Sequence, residues 1–321
     1  MSKNEKNSND QPIKKKHATV GQDSFQPRYL HPRYWHLWVL FGLGWSVAQL
    51  PFPLQLALGR AFGRLLYLIG KSRARIAERN IEICLPQLSQ AEKKTLIRQN
   101  FESLGIAFIE IAMAYWGSSK KLHRMFTING AEHLEAAKAA GKGVLVMGGH
   151  VTSLELVLRL FSERFPSAVL YKPNHNEFFE QYSFNKRARY CRPIPNKKMR
   201  GFLNHLKEGG FAIYLSDQDY GMKNSVFAPF FGVPALTIKR PPEYIKYSGA
   251  LLMPVIFGRY PDGSGYHVDV VPPLDYPSGD EIKDAATLNY WVEQNILLHP
   301  EQYLWQHRRF KRRPEGEPPL Y

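Results

Sequence analysis

The segment that most constrains the fold is a short apolar run that ends in two glycines. Residues 144–147 are apolar and β-prone, Gly148 and Gly149 follow, and His150 is the next side chain. Because glycine has no Cβ, a strand that ends in Gly-Gly delivers the following residue to the sheet edge with little crowding. An imidazole there titrates near neutral pH and can take a proton from a hydroxyl group. We interpret His150 as a candidate general base and Glu155 as the carboxylate that orients its ring.

The spacing between these two residues restricts where each of them lies. On one continuous helix, positions i and i+5 are about 140° apart, since each residue turns about 100°. His150 and Glu155 therefore meet only if His150 precedes the helix and Glu155 lies in its first turns, with Thr152 or Ser153 as the N-cap. The alternative is a loop histidine and an unrelated surface glutamate, because an isolated H-x4-E pattern has a high false-positive risk.

From Gly117 onwards, predicted strands alternate with predicted helices. This alternation is typical of a parallel sheet, and the turn at residues 262–265 predicts an antiparallel edge. The expected fold class is α/β, with a mainly parallel central sheet flanked by helices on both faces. The main predicted strands are 144–147, 168–171, 211–215, 251–257 and 266–271; the predicted helices are 131–140, 154–165, 178–190, 199–208 and 285–298.

The charge balance indicates an anionic partner. The 321 residues include 43 Lys and Arg against 28 Asp and Glu, which gives a net charge of +15. Nucleic acid, anionic lipid and an acidic carrier protein all fit such a balance. Cys84 and Cys191 have no metal-type spacing, so we expect neither a metal nor a disulfide framework, and a reducing compartment fits best.

The N-terminal third divides into three segments of different composition. Residues 1–30 are polar and predict a disordered tail, residues 31–60 predict a membrane anchor helix, and residues 61–321 predict the remaining domain. The run 34–58 is almost free of charge but contains Pro51 and Pro53. We expect it to span the membrane or to lie at its interface; the alternative is a buried core helix.

Three further motifs follow the predicted strands. Lys172 and Asn174 come directly after one strand, where a cation can bind an anionic group or polarise a carbonyl, although a solvated lysine is equally consistent. Asp217 and Asp219 follow another strand and either bind a metal or, as we favour, accept backbone hydrogen bonds. The apolar segment 227–235 either lines a hydrocarbon channel or plugs the core.

The C-terminal segment 307–313 is a dense basic cluster that includes Arg308 and Arg309. Nucleic acid, phosphorylated lipid and an acidic carrier protein are all possible partners for such a cluster. A merely solvated face is less attractive, because Trp305 and Phe310 interleave with the charges.

Taken together, these motifs give the chain a resemblance to the late acyltransferases of lipid A biosynthesis, the lauroyl/myristoyl type within the lysophospholipid acyltransferase superfamily. The resemblance runs in order from residue 29 to residue 321 and leaves out the polar head. Lys172 departs from the family pattern, which usually has arginine there; lysine keeps the charge but lacks the planar fork that a bidentate contact needs. The matching motifs are Gly148-Gly149-His150 to Glu155, Tyr171-Lys172-Pro173, Asp217 to Gly221, residues 227–235 and residues 301–316.

The resemblance implies a fatty acyl donor on acyl carrier protein and a phosphorylated glucosamine disaccharide acceptor that usually carries Kdo. It also implies a bacterial inner-membrane enzyme with its catalytic domain facing the cytoplasm, no cofactor, and nucleic acid as an unlikely partner. His150 would be the general base, oriented by Glu155. The residues expected to contact the substrates are Lys172, Asn174, Asp217, Asp219, Arg308 and Arg309.

Two alternatives remain open from the sequence. One is a glycerolipid lysophospholipid acyltransferase, with the same chemistry and another acceptor; the C-terminal motif argues against it. The other is a non-catalytic basic module that binds membranes or nucleic acid, which the position of His150 after Gly-Gly disfavours. A zinc hydrolase is less consistent still, because no second histidine follows at ligand spacing.

Overall fold

The computed structural model describes residues 26–321. Most of the predicted polar tail therefore lies outside the described residues. The helices are α1 (Trp35–Ala48), α2 (Phe52–Ile69), α3 (Lys71–Cys84), α4 (Gln90–Trp116), α5 (Ser119–His123), α6 (Ala131–Ala139), α7 (Leu154–Arg164), α8 (Glu177–Arg187), α9 (Met199–Lys207), α10 (Pro241–Ser248) and α11 (Glu281–Leu298). The strands are β1 (Phe126–Asn129), β2 (Val144–Gly148), β3 (Ser167–Tyr171), β4 (Arg192–Pro195), β5 (Phe211–Leu215), β6 (Ser225–Phe230), β7 (Val233–Ile238), β8 (Leu251–Arg259) and β9 (Tyr266–Val270).

Seven of the strands form one sheet in the order β1-β9-β8-β2-β5-β3-β4. The strands from β8 to β4 are parallel to one another, whereas β9 pairs antiparallel with β8 and parallel with β1. The prediction of a mainly parallel sheet with an antiparallel edge is therefore confirmed. The edge strand β4 and the β6–β7 hairpin were not predicted.

Helices cover both faces of this sheet, as its central strand shows. All five residues of β2 are buried. Leu145 and Met147 pack into one apolar core with residues of α3, α9 and α11, while Val144 and Val146 pack into a second core with α6 and α7. Because side chains alternate along a strand, a strand with two buried faces must be apolar throughout, and this explains the unbroken apolar run.

The apolar run of the N-terminal third is divided between two helices. Helix α1 ends at Ala48, and α2 begins after Pro51 and continues through residue 60, where the sequence predicted a boundary. None of the helices in residues 26–321 combines the length and apolarity needed to cross a bilayer. Helix α2 instead crosses α4 closely, since a Cβ on Gly105 would lie 2.2 Å from the carbonyl oxygen of Gly59.

Two local features are clear in the structure. Ser89 and Glu92 form a capping box at the start of α4, in which Ser89 N donates to Glu92 Oε2 at 2.7 Å and Glu92 N donates to Ser89 Oγ at 3.3 Å. The segment 227–235 is a hairpin rather than a loop. Its turn residues Phe231 and Gly232 have φ of 49° and 74°, and Phe230 before them is fully buried.

Candidate active site

The register of β2 and β5 brings His150 and Asp217 together. The two strands are parallel neighbours with Gly148 opposite Leu215, and each of the two polar residues lies two positions beyond that pair. His150 Nδ1 lies 2.7 Å from Asp217 Oδ1, and the backbone N–H of His150 donates to Asp217 Oδ2 at 2.9 Å. One carboxylate therefore fixes both the backbone and the ring of His150.

The protonation of this pair follows from its surroundings. Asp217 is 1% exposed; burial opposes its ionisation, but the charge of His150 and the two hydrogen bonds outweigh burial and lower the pKa of Asp217 to about 2. An ionised carboxylate only accepts hydrogen bonds, so Nδ1 of the neutral ring carries the proton. The lone pair is then on Nε2, to which no residue within 26–321 is hydrogen-bonded.

Glu155 lies in the first turn of α7, as predicted, but its hydrogen-bond partners are not His150. Arg187 donates to it twice, from Nε at 2.8 Å and from Nη2 at 2.6 Å, and the Tyr190 hydroxyl donates at 2.7 Å. Burial opposes the charge of Arg187, but Glu155 outweighs burial and raises the pKa of Arg187. The predicted orienting role of Glu155 is corrected here: Asp217 is the carboxylate that holds the ring.

The two glycines before His150 are required by close packing rather than by unusual backbone angles. A Cβ on Gly148 would lie 2.8 Å from Phe257 Cε1, and a Cβ on Gly149 would lie 3.0 Å from Val292 Cγ1. The sequence predicted little crowding at this strand end. The structure shows instead that a dense core occupies the space that a side chain would need.

The loop that carries His150 is also fixed by the C-terminal segment. Leu304 N donates to the carbonyl oxygen of His150 at 3.0 Å, and Thr152 N donates to that of Gln302 at 2.7 Å. Asn100 on α4 holds this segment in turn through the carbonyl oxygens of Glu301 and Tyr303.

His150 faces a cleft of about 880 Å³ at the carboxyl ends of β2, β5 and β3. One part of its wall is apolar and includes Leu154, Leu158 and Ile213. A small apolar cavity of about 30 Å³ shares these three residues and is also lined by Phe161 and Phe257. The polar part of the cleft lining includes Glu155, Lys172, Arg187, Gln218 and Arg240.

The residues predicted after β3 and β5 differ in their access to the cleft. Lys172 is exposed and lines it. Asn174 is exposed outside the lining, and its Oδ1 accepts from Asn176 N at 2.9 Å. Asp219 accepts from Gly221 N at 2.9 Å and forms an ion pair with Arg312. Asp217 and Asp219 thus accept backbone hydrogen bonds, as the sequence analysis favoured.

The C-terminal basic cluster is only partly a surface feature. Arg308 is exposed, but Arg309 is 1% exposed and donates to Leu236 O, Thr237 Oγ1 and Asn289 Oδ1 at 2.6, 2.7 and 3.0 Å. The expected substrate contact of Arg309 is therefore corrected to a structural role. Its guanidinium ties the β6–β7 hairpin to α11.

Comparison with known proteins decides the family. The sequence model described as bacterial lipid A biosynthesis acyltransferase matches residues 22–312. The chain belongs to this family. It is 38% identical over 300 residues to the lipid A biosynthesis lauroyltransferase of Escherichia coli K12, covering 92% of this chain and 98% of that protein. The palmitoleoyltransferase of the same organism is also 38% identical, covering 94% and 99%, and the myristoyltransferase is 27% identical, covering 91% and 92%.

The protein is therefore an acyltransferase of this family. Sequence reasoning missed the two partners of Glu155, of which Arg187 lines the cleft. Arg187 lies on α8, where the sequence showed only a basic stretch, and Tyr190 follows that helix. A usable signal existed for Asp217, since it and His150 both lie two positions beyond a strand end.

No cluster of three or more His, Cys, Asp or Glu side chains in the described chain is arranged as a metal site.

Proposed function

We propose that this acyltransferase moves a fatty acyl chain from acyl carrier protein to a hydroxyl group of a phosphorylated, Kdo-bearing lipid A precursor, at the inner membrane and on its cytoplasmic side. The observation that supports it best is the His150–Asp217 pair. Its Nε2 has no hydrogen-bond partner among residues 26–321 and lies at the wall of a cleft with an apolar part. The relatives whose names state lauroyl, palmitoleoyl and myristoyl transfer support a fatty acyl donor.

The proposed reaction is a direct transfer without an acyl-enzyme intermediate. His150 Nε2 removes the proton of the acceptor hydroxyl while the oxygen attacks the thioester carbonyl. Asp217, which accepts from Nδ1, stabilises the imidazolium that forms. When the tetrahedral intermediate collapses, the C–S bond breaks and the imidazolium returns its proton to the departing thiolate. The products are an ester and the free carrier thiol.

The developing oxyanion needs a donor that is not already engaged. The backbone amides of His150 and Thr152 are unsuitable, because they donate to Asp217 Oδ2 and to the carbonyl oxygen of Gln302. Lys172 lines the cleft and forms no ion pair with a carboxylate of residues 26–321. We assign oxyanion stabilisation to its ammonium group, which supplies charge without the planar fork of arginine.

An exposed apolar face supports membrane association. Trp35, Val39, Leu40 and Leu43 of α1 are more than half exposed. Helices α2 and α4 add the exposed residues Leu54, Leu58, Phe62, Leu65, Leu68, Ile69, Phe108 and Ile111. Soluble proteins rarely expose so many large apolar side chains on neighbouring elements. We propose that this face lies in the membrane interface, so that the acceptor lipid reaches the cleft from the bilayer.

The test is acyl transfer by a His150→Ala variant. We expect turnover to fall about 10²–10⁴-fold, the usual contribution of a general base. His133→Ala is a matched control, because His133 lies on α6 and does not line the cleft. Turnover near wild type in a folded His150→Ala protein would remove the proposed base.

Two further measurements test the acceptor. One uses lysophospholipid acceptors in the same assay, and the other is mass spectrometry of lipid A from cells with and without the protein.

A further inference from the structure

We infer that an exposed basic surface beside the cleft is the docking site for the acidic acyl carrier protein, an inference that rests on the proposed function. We call this surface the basic rim; it consists of Arg192 on β4, Lys197 and Lys198 in the turn after β4, and Arg200 at the start of α9. All four side chains are exposed.

The position of the basic rim suits a partner that must deliver a thioester. Lys197 and Lys198 lie between Asn196 and Met199, and both of these flanking residues line the cleft that contains His150. Lys172, exposed after β3, lies at the same cleft. A protein bound at the basic rim therefore sits beside the cleft, where an acyl thioester on a flexible arm can enter.

The positive charge of this segment is compensated at only one residue. Between Glu180 and Glu208 the chain has eight Lys or Arg and no Asp or Glu, and among these eight only Arg187 forms an ion pair with a carboxylate of residues 26–321, that of Glu155. Within residues 26–321, no carboxylate forms an ion pair with any basic-rim residue, whereas Arg64, Arg240 and Arg312 each pair with an acidic side chain. A region of uncompensated positive charge beside a cleft attracts an anionic partner and raises its rate of association.

The absence of exposed large hydrophobic side chains from this surface favours a protein over a membrane. In the described chain, no large hydrophobic side chain between residues 112 and 219 is exposed, in contrast to the face of α1, α2 and α4. Stable attachment to a bilayer adds apolar burial to charge attraction, and no large exposed apolar side chain accompanies the charges of the basic rim. An acidic, soluble carrier protein needs only the charge.

The experiment compares two charge-reversal variants with two donors. The rim variant is Lys197→Glu/Lys198→Glu/Arg200→Glu. The control is Lys120→Glu/Lys138→Glu/Lys142→Glu, which makes the same change in net charge at three exposed lysines outside the cleft. Initial rates are measured with lauroyl-acyl carrier protein and with a lauroyl-pantetheine thioester, which lacks the carrier protein.

With the carrier-protein donor, we expect kcat/KM of the rim variant to fall about 10–100-fold. The fall should appear as a rise in KM, because losing the electrostatic attraction mainly slows association. With lauroyl-pantetheine the rim variant should match wild type, and the control variant should stay within about twofold with either donor. Added salt should reduce the difference between wild type and the rim variant.

Four results would overturn the inference. Equal losses with both donors would place the effect on the fold or the acceptor, and weakened binding to anionic lipid vesicles alone would make the basic rim a membrane surface. An unaffected rim variant beside an active wild type would reject the docking site but leave the proposed function intact. A wild-type enzyme that transfers from pantetheine but not from the carrier protein would reject the proposed donor and the docking site together.

Discussion

Two carboxylates near the cleft have different partners: Glu155 lines the cleft, and Asp217 lies behind His150 at its wall. We call each carboxylate with its hydrogen-bond partners a centre. Asp217 accepts from the backbone and from Nδ1 of His150, which leaves Nε2 of that ring available to a substrate. Glu155 accepts two hydrogen bonds from Arg187 and one from Tyr190, so its charge is neutralised within the protein. The first centre is arranged to move a proton, and the second is arranged to hold a guanidinium in place.

Strand register, more than distance along the chain, determines which carboxylate contacts His150. Glu155 is five positions from His150, yet the start of α7 directs it to α8. Asp217 is 67 positions away, yet the parallel pairing of β2 and β5 places it against the ring. Because side chains after adjacent parallel strands gather at one sheet edge, such edges collect functional residues from distant segments.

The largest expected effect comes from Asp217→Asn. Asparagine can donate to Nδ1 and so stabilise the wrong ring tautomer, and we expect turnover to fall about 10²–10⁴-fold. Steady-state rates with saturating donor and acceptor measure the loss. Asp269→Asn is the matched control, because Asp269 also bonds a histidine, with Oδ2 2.8 Å from His267 Nδ1, but lies outside the cleft. Wild-type turnover in Asp217→Asn would show that the pair does not orient the base.

An intermediate effect is expected from Glu155→Gln, and it should appear in stability as well as in activity. The substitution leaves the mostly buried Arg187 without its charged partner, and we expect a loss of about 2–3 kcal/mol in the free energy of unfolding. Denaturant titration measures this loss.

The double variant Glu155→Gln/Arg187→Gln provides the control for that measurement. Because it removes both charges, it should be more stable than the sum of the two single variants predicts. Strictly additive losses would mean that the ion pair is not the reason that Glu155 is needed.

The sequence predicted the sheet well and the site only in part. The strands β2, β3, β5 and β8 are mainly apolar runs bounded by turns, and β9 alternates apolar with polar residues; local patterns of this kind determine where a strand occurs. The edge strand β4 was missed because Pro193 and Pro195 interrupt its pattern. The order of strands in the sheet, and with it the partner of His150, depends on tertiary packing that no local pattern specifies.

The same limit explains the outcome for the C-terminal basic cluster. A run of arginines is typical of a charged surface, and Arg308 is indeed exposed. Arg309 is instead buried because polar oxygens of the β6–β7 hairpin and α11 surround its guanidinium, and its ring partner is Phe230 at 5.0 Å. Those acceptors come from residues far away in sequence, so spacing alone did not reveal them.

The smallest expected effect is a pH dependence of stability. Part of it comes from His307, which lies near Asp217, and none of it comes from the partners of Glu155. His307 Nε2 accepts from Asp219 N at 3.3 Å, and burial lowers the pKa of His307. Below about pH 6.5 the unfolded chain binds this proton more readily than the folded protein, so stability must fall as the pH decreases. The pKa values of His205 and His299 are lowered by burial in the same sense.

A His307→Gln variant isolates this contribution, because its amide oxygen can still accept from Asp219 N but does not titrate. Between pH 6.5 and pH 5, its free energy of unfolding should decrease less steeply than that of wild type, while the slope due to His205 and His299 remains. Denaturant titrations at pH 8, where all three imidazoles are neutral in both states, give the pH-independent difference between the two proteins. Arg187 and Tyr190, the partners of Glu155, add nothing in this window, since their pKa values are raised away from it. Parallel curves for the two proteins would show that His307 is not protonated on unfolding, and would remove this distinction between the two centres.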